Sequence, residues 1–250
     1  MLYHLKQLIG MSLEALDGDA GKISDVYFDN QQWTVRYLVI DTGGWLNSRK
    51  VLISPFTVDY INLDKGVVGV RLAKDRIEGS PHVDTHVPVS RQYETDLSRY
   101  YGYPEYWSGI LLWGATPFPL MPVDDIQIGE ASFVGDAQGA GDPHLHSVKD
   151  VTGYQLQASD DAIGHLEDFV IDEESWAIRY LIVDTSNWLP GKHVVISPQW
   201  IKQVNWEEKT VHVDVTSDAI KSAPEYDVAI SLSRTHEENL YQHYERPKYW

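Results

Sequence analysis

The sequence predicts a mainly β fold built from two tandem small antiparallel β-barrels, each followed by a short helix and an aromatic tail. The first observation behind this prediction is a long internal duplication. The run WTVRYLVIDTGGWL at residues 33–46 returns 143 residues later as WAIRYLIVDTSNWL. The two copies align without a gap from residue 2 to residue 107, and about a third of the aligned pairs are identical.

The duplication predicts a first repeat at residues 1–107 and a second repeat at residues 144–250, joined by a Gly/Pro/Ala-rich linker at residues 108–143. A period of roughly 100 residues is much longer than the 20–50 residues of solenoid repeats. Each copy is therefore expected to be a small domain with its own core.

The second observation is the spacing of strand and turn signals in the first copy. About five short strands with turns between them are typical of a small barrel or sandwich, and closure into a barrel removes the edges of the sheet. The polar turn at 30–32 predicts a hairpin, and residues 2–17 are expected to be a short leading segment. The predicted strands are 21–29, 34–40, 50–54, 58–63 and 67–72.

Helix signals follow the strands. One helical turn is expected at residues 73–79, and Ser90 has the chemistry of an N-cap for a helix over residues 91–101. Each copy then ends in a Pro-Xaa-Tyr-Trp tail, at Tyr106-Trp107 and at Tyr249-Trp250. The recurrence of these tails predicts arms that dock at a specific surface.

Composition restricts the class of function. The chain has 250 residues with a net charge of −17, which disfavours binding to nucleic acid and to anionic membrane surfaces. It has no cysteine, which excludes disulfides and cysteine-bound metals. The N-terminal residues carry no secretory signature, and the most apolar window, 109–123, is short and contains three prolines. We therefore expect a cytoplasmic protein without membrane insertion.

Three runs carry a resemblance to a known family: residues 21–29, residues 36–46 and the Ile-Ser-Pro strand end at 53–55. Together they resemble the PRC-barrel family, named after the cytoplasmic domain of the H subunit of the photosynthetic reaction centre. A similar barrel forms the C-terminal half of a bacterial ribosome maturation factor. The resemblance covers most of residues 2–80 and 145–223.

The resemblance implies small closed β-barrels that act as protein-docking modules and not as enzymes. In the reaction centre the domain caps a membrane complex and tunes proton delivery, and in the maturation factor it contacts a ribosomal protein. From this sequence we expect neither the membrane helix of the H subunit nor the N-terminal barrel of the factor. Only the general type of role is therefore expected to transfer.

Aromatic residues are the first candidates for a partner-binding site. Trp45 and Trp188 follow a strand in each copy. A large aromatic side chain there is a partner hot spot, or it packs over a barrel end or against the other copy. The tail residues are further candidates for partner binding, namely Tyr106, Trp107, Tyr249 and Trp250.

Charged residues of the predicted hairpin form a second set of candidates. A tight hairpin would place Asp25 near Arg36, and Asp168 near Arg179, as cross-strand ion pairs that fix the register. An anion contact is the alternative role of the two arginines.

The histidine-containing tracts do not predict a metal or cofactor site. His82 and His86 lie in a tract with several ligand types, but the second copy has neither histidine. His144 and His146 lie at the end of the linker. Adventitious metal binding fits either tract, and no glycine-rich phosphate loop or nucleophile elbow is present in the sequence.

These observations predict a non-enzymatic protein-binding or adaptor module for a partner with a basic surface. A membrane electron-transport or photosynthetic-type complex and ribosome assembly are the settings that the resemblance implies. The alternatives are a small-ligand or metal-binding enzyme that uses a cleft between the barrels, and an oligomerising, stress-related structural protein. The sequence is also compatible with a homo-oligomer.

Overall fold

The computed structural model describes residues 1–46, 49–85, 87–120, 144–185, 192–228, 230 and 232–250, without the side chains of Trp45 and Leu46. In this part the chain forms two seven-stranded sheets and a few short helices. The mainly β prediction and the similarity of the two halves are confirmed.

Seven strands and three helices lie in the first repeat. The strands of the predicted hairpin and the helix after residue 90 agree with the sequence prediction. Ser90 caps this helix by accepting a hydrogen bond from the Tyr93 amide at 3.2 Å. The elements are β1 (Leu2–His4), α1 (Leu5–Leu8), β2 (Ser12–Ala15), β3 (Gly18–Asp29), β4 (Thr34–Asp41), β5 (Lys50–Ile53), β6 (Val58–Asn62), β7 (Val67–Val70), α2 (Lys74–Glu78) and α3 (Arg91–Tyr101).

The second repeat repeats this order of elements. Ser233 caps its last helix in the position that Ser90 has in the first repeat. The elements are β8 (Leu145–Ser147), α4 (Val148–Val151), β9 (Gln155–Gln157), β10 (Ala162–Asp172), β11 (Ile178–Asp184), β12 (His193–Ile196), β13 (Ile201–Asn205), β14 (Thr210–Val213), α5 (Ser217–Lys221) and α6 (Arg234–His243).

Each sheet is mixed and open, which corrects the prediction of closed antiparallel barrels. The strand orders are β5-β4-β3-β2-β7-β6 and β12-β11-β10-β9-β14-β13. The pairs β2·β7 and β9·β14 are parallel. A 3-10 turn at Pro55–Thr57 carries the chain from β5 to β6, where Ser54 accepts the Thr57 amide at 2.9 Å. The two end strands are thus linked by a corner, and within the described residues no ladder joins them.

The chain divides into two compact units whose bounds differ from the sequential division at residues 107 and 144. The first-repeat unit contains residues 7–148 and 174–177. The second-repeat unit contains residues 1–6, 149–173 and 178–250. Each unit therefore takes its first strand from the other repeat.

The exchanged strands are β1 and β8. In the second-repeat unit β1 pairs antiparallel with β10, with Leu2 opposite Asp172 and His4 opposite Val170. In the first-repeat unit β8 pairs antiparallel with β3, with Leu145 opposite Asp29. Residues 2–17, expected to be only a leading segment, thus contain β1, α1 and β2, because the partner of β1 lies more than 160 residues away and leaves no local signal.

Two glycines at equivalent positions allow the two strands of each long hairpin to lie close together. A Cβ on Gly21 would lie 2.3 Å from the carbonyl oxygen of Asp41, and its φ of +115° favours glycine. A Cβ on Gly164 would lie 2.0 Å from the carbonyl oxygen of Asp184. Both repeats therefore require glycine near the point where the start of β3 or β10 pairs with the end of β4 or β11.

Candidate functional site

The buried arginine of β4 pairs with a different aspartate from the one predicted. Arg36 donates from Nε and Nη2 to Oδ2 of Asp29 at 3.0 and 2.7 Å, in place of the predicted pair with Asp25. The register explains the difference, because Asp25 lies opposite Val39 and an irregularity between Tyr27 and Phe28 shifts the strand end.

The second repeat shows the same correction. Arg179 contacts Asp172 at 3.5 Å, in place of the predicted pair with Asp168. This contact is longer than the 2.7 Å contact of the first repeat. It is also more exposed: each of its side chains is about one quarter exposed, whereas Arg36 is fully buried.

The two predicted aspartates bind the exchanged strands. Asp25 accepts a hydrogen bond from the Ser147 hydroxyl of β8 at 2.6 Å. Asp168 contacts Nδ1 of His4, in β1, at 3.1 Å and accepts the Lys6 amide at 3.0 Å. His4 and Ser147 occupy equivalent positions in the two repeats, so one device fixes both strands.

A buried carboxylate in α3 connects this helix with strand β4 and with the tail of the first-repeat unit through hydrogen bonds. Oε1 of Glu94 accepts the hydroxyls of Tyr37 at 3.1 Å and Tyr106 at 2.7 Å. Its Oε2 lies 3.1 Å from Nη1 of Arg91 and 2.7 Å from Nε2 of His144. Burial, and then the negative charge of Glu94, raise the pKa of Tyr37 well above its ordinary value. Both phenols are therefore neutral donors at physiological pH.

Glu237 forms the equivalent centre in the second-repeat unit. It accepts the hydroxyls of Tyr180 at 2.7 Å and Tyr249 at 2.8 Å, and Nη1 of Arg234 lies 3.1 Å away. Burial, followed by the hydrogen bond to Glu237, raises the pKa of Tyr249 to about 12. The two tails thus dock on their own units through the tyrosine.

Arg36 extends the first centre to the segment after the tail. Its guanidinium carbon lies 3.8 Å from the ring centroid of Tyr106 and 4.9 Å from that of Trp113. It also donates to the carbonyl oxygen of Leu112 and to the side chain of Gln32. A buried arginine with every side of its plane occupied is a strong anchor, because hydrogen bonds and cation–π contacts act together in a low dielectric.

The segment held by Arg36 is residues 108–120, here called the anchored loop. Trp113 is 1% exposed, its indole donates to the carbonyl oxygen of Ser175 at 2.8 Å, and it packs edge-on against Phe56. Leu111 and Gly114 close a tight turn through mutual backbone hydrogen bonds. The anchored loop is thus fixed from inside at one aromatic side chain and one carbonyl group.

The outer side of the anchored loop is apolar and exposed. The exposed fractions are 96% for Ile110, 40% for Leu111, 38% for Phe118 and 59% for Leu120. Four large exposed apolar side chains within eleven residues concentrate apolar surface in one segment, and concentrated apolar surface marks interaction sites. Residues 108–120, the first part of the predicted linker, belong to the first-repeat unit.

The tail tryptophans are more accessible than the tail tyrosines. Trp107 is partly exposed beneath the Arg91 guanidinium, 4.5 Å from its ring. Trp250 is 44% exposed, with Arg234 at 4.3 Å. The side chain of Trp45 and all of Trp188 lie outside the described residues, so their predicted role as partner-binding residues stays a prediction.

The histidines of the two tracts lie in different surroundings. His144 is buried against Glu94, His146 lies 3.0 Å from the Asn30 amide nitrogen, and His82 is exposed. His86 lies outside the described residues. In the part of the chain that the structure describes, no three His, Cys, Asp or Glu side chains are placed to hold a metal ion together.

Sequence reasoning missed the two glutamate centres, although a signal for them exists. Aligned at the offset of 143, the glutamate, its tyrosine and arginine partners and the aspartate–arginine pair are identical in both copies, whereas His144 aligns with Met1. The pairs are Asp29/Asp172, Arg36/Arg179, Tyr37/Tyr180, Arg91/Arg234, Glu94/Glu237 and Tyr106/Tyr249.

No helix in the described residues is long and apolar enough to cross a membrane.

No curated protein matches the chain. The family model of the PRC-barrel domain matches residues 2–77 and again residues 143–220. Because these matches cover more than half of the 250 residues, the chain belongs to the PRC-barrel family and carries two such domains in tandem.

Proposed function

We propose that this protein is a non-enzymatic adaptor that binds a partner protein through the anchored loop. PRC-barrel domains are protein-interaction modules. The observation that carries the proposal is the contrast between the two sides of the loop: Trp113 is buried, whereas Ile110 is 96% exposed.

The anchoring of the loop favours binding. Association costs free energy when flexible side chains and loops become ordered, so a surface that is already fixed binds more tightly. The contacts of Arg36 with Leu112 and Trp113 fix the loop before a partner arrives. The exposed Ile110 and Leu120 then offer apolar area that a complementary groove would remove from water.

The charge of the chain indicates the kind of partner. A net charge of −17 accelerates encounter with a basic protein and repels nucleic acid and a second copy of this chain. The partner is therefore a protein with an apolar groove and a basic surface around it. A ribosomal protein or the basic cytoplasmic face of a membrane complex has this chemistry.

The test is affinity capture at low and high salt with wild type, with Ile110→Ser/Leu120→Ser and with Val228→Ser/Ile230→Ser. The last variant is the control, because Val228 and Ile230 are exposed by 42% and 62% in the second-repeat unit. We expect the loop variant to bind a captured partner roughly a hundredfold more weakly, and the control to bind as wild type. A partner retained equally by both variants, or a partner whose binding is insensitive to salt, would refute the proposal.

A further inference from the structure

Four residues form one row across the exposed face of the first-repeat sheet. Asp19 of β3 lies opposite Glu14 of β2, Glu14 lies opposite Gly69 of β7, and Gly69 lies opposite Tyr60 of β6. Glu14 and Asp19 are exposed, and Tyr60 is 44% exposed. The row is called here the acidic tyrosine face.

Gly69 allows the Tyr60 ring to lie across the sheet. A Cβ on Gly69 would lie 2.2 Å from Cε1 of Tyr60. The Tyr60 hydroxyl donates to the Glu14 carboxylate. The hydrogen bond to Glu14, with the negative charges of Glu14 and Asp59, raises the pKa of Tyr60. The ring therefore presents an aromatic surface in a negative field.

The carboxylates of this face are not neutralised by salt bridges. Glu14 accepts from Tyr60, and Asp19 accepts from the Gly21 amide. No salt bridge in the described part of the chain includes Glu14, Asp19 or Asp59. Beside the row, Leu16 is 72% exposed. The face therefore combines uncompensated negative charge with exposed apolar and aromatic area.

The second repeat shows that the fold does not require these side chains. The same row across β10, β9, β14 and β13 has Ala162, Gln157, His212 and Gln203, with the same pairings. The position of Asp59 is occupied by Lys202, which pairs with Asp214 at 2.9 Å. One sheet thus carries the acidic tyrosine row and its duplicate a neutral row on the same backbone pattern.

We propose that the acidic tyrosine face binds a cationic segment of a partner protein, with a Lys or Arg side chain stacked on Tyr60 and paired with Glu14 and Asp19. A cation over an aromatic ring is attracted by the ring quadrupole, and nearby carboxylates add to that attraction. Charge complementarity selects this occupant over a second copy of the chain, whose net charge of −17 would repel the face. The inference rests on the proposed protein-binding function but uses a different surface from the anchored loop.

The test uses the full chain and a fluorescein-labelled (Lys-Leu)4 peptide as the probe, with (Glu-Leu)4 as the negative control. Amide shifts in NMR spectra locate the bound peptide, and fluorescence anisotropy gives its affinity. One variant gives the first repeat the residues of the second, as Glu14→Gln/Asp19→Ala/Tyr60→Gln. The reciprocal variant is Gln157→Glu/Ala162→Asp/Gln203→Tyr/His212→Gly. Tyr60→Phe keeps the ring and removes only the hydroxyl, and thermal melts check that every variant is folded.

We expect peptide-induced shifts at Glu14 and Gly69, about tenfold weaker binding by the first variant, a second binding site in the reciprocal variant and nearly wild-type affinity for Tyr60→Phe. Shifts spread over both sheets, or equal affinity of the first variant and wild type, would overturn the proposal and show binding that follows net charge alone. The loop variant Ile110→Ser/Leu120→Ser should bind the peptide normally. Failure of this face and failure of the loop are therefore distinguishable.

Discussion

Replacing the central glutamate of each unit with glutamine should affect the two units unequally. Glu94→Gln keeps the oxygen that accepts from Tyr37 and Tyr106. It replaces the oxygen that contacts Arg91 and His144 with an amide NH2 group, which cannot accept. Glu237→Gln is the matched control, since its second oxygen contacts Arg234 and the position of His144 is taken by Met1.

The geometry gives the expected magnitudes. The side chains of His144 and Glu94 are 1% and 0% exposed, so their contact is in a low dielectric. Two charge-assisted contacts contribute about 1.5–3 kcal/mol each, and regained amide hydrogen bonds offset part of the loss, so Glu94→Gln should cost about 3 kcal/mol. The Arg234 side chain is 55% exposed, and the loss of its contact should cost about 0.5–1 kcal/mol.

Urea unfolding followed by circular dichroism and tryptophan fluorescence measures the difference. With an m-value of about 3 kcal/mol per molar, Glu94→Gln should lower the midpoint by about 1 M and Glu237→Gln by about 0.3 M or less. Coincident transitions in the two signals justify a two-state fit. Equal shifts for the two variants would refute the reasoning, because they would mean that the buried contact with His144 contributes nothing.

Three further predictions concern backbone, strand exchange and alkaline pH. Gly21→Ala should cost about 3 kcal/mol in chemical unfolding, because its Cβ meets the Asp41 carbonyl, whereas Gly10→Ala, with nothing within 4 Å, should cost about 1 kcal/mol; equal costs would contradict this. Asp168→Asn should raise amide hydrogen exchange in β1 about tenfold and leave β8 unchanged; unchanged exchange in β1 would show that the side-chain contacts do not hold the strand. The pKa of Tyr249 is raised to about 12, so the stabilisation by its neutral hydroxyl is complete below the ordinary tyrosine pKa near 10 and is lost as pH rises through 12. Absorbance at 295 nm should therefore show that Tyr249 ionises together with unfolding. Ionisation of Tyr249 in the intact fold near pH 10 would contradict this.

The sequence predicted those parts of the fold that depend on local chemistry. The hairpin follows from a polar turn between two apolar runs, and the start of α3 follows from the hydroxyl of Ser90 beside free amides. The duplication predicted two similar sheets. Each of these signals lies within a few residues of the structure that it predicts.

The remainder depends on register and on distant partners. Arg36 pairs with Asp29 and not with Asp25. Irregularities in the β3–β4 ladder put Asp25 opposite Val39, and the order of residues does not reveal them. The prediction of closed barrels was wrong. In the described residues the end strands β5 and β6 are joined by the 3-10 turn that begins at Pro55 and not by a hydrogen-bonded ladder. The burial of Trp113 in the anchored loop could not be predicted, because its indole binds Ser175, a residue of the other repeat that is distant in the sequence.

The exchange of β1 and β8 has a consequence for synthesis of the protein on the ribosome. The strand β1 is made long before its partner, because Leu2 pairs opposite Asp172, so it must wait for about 170 more residues. At 5–20 residues per second this delay is roughly 10–30 s. The first-repeat sheet also remains one strand short until residues 145–147 have been made. The first repeat of the nascent chain thus carries an unpaired strand and an exposed sheet edge until the second repeat has been made, and a chain released early exposes that edge to aggregation.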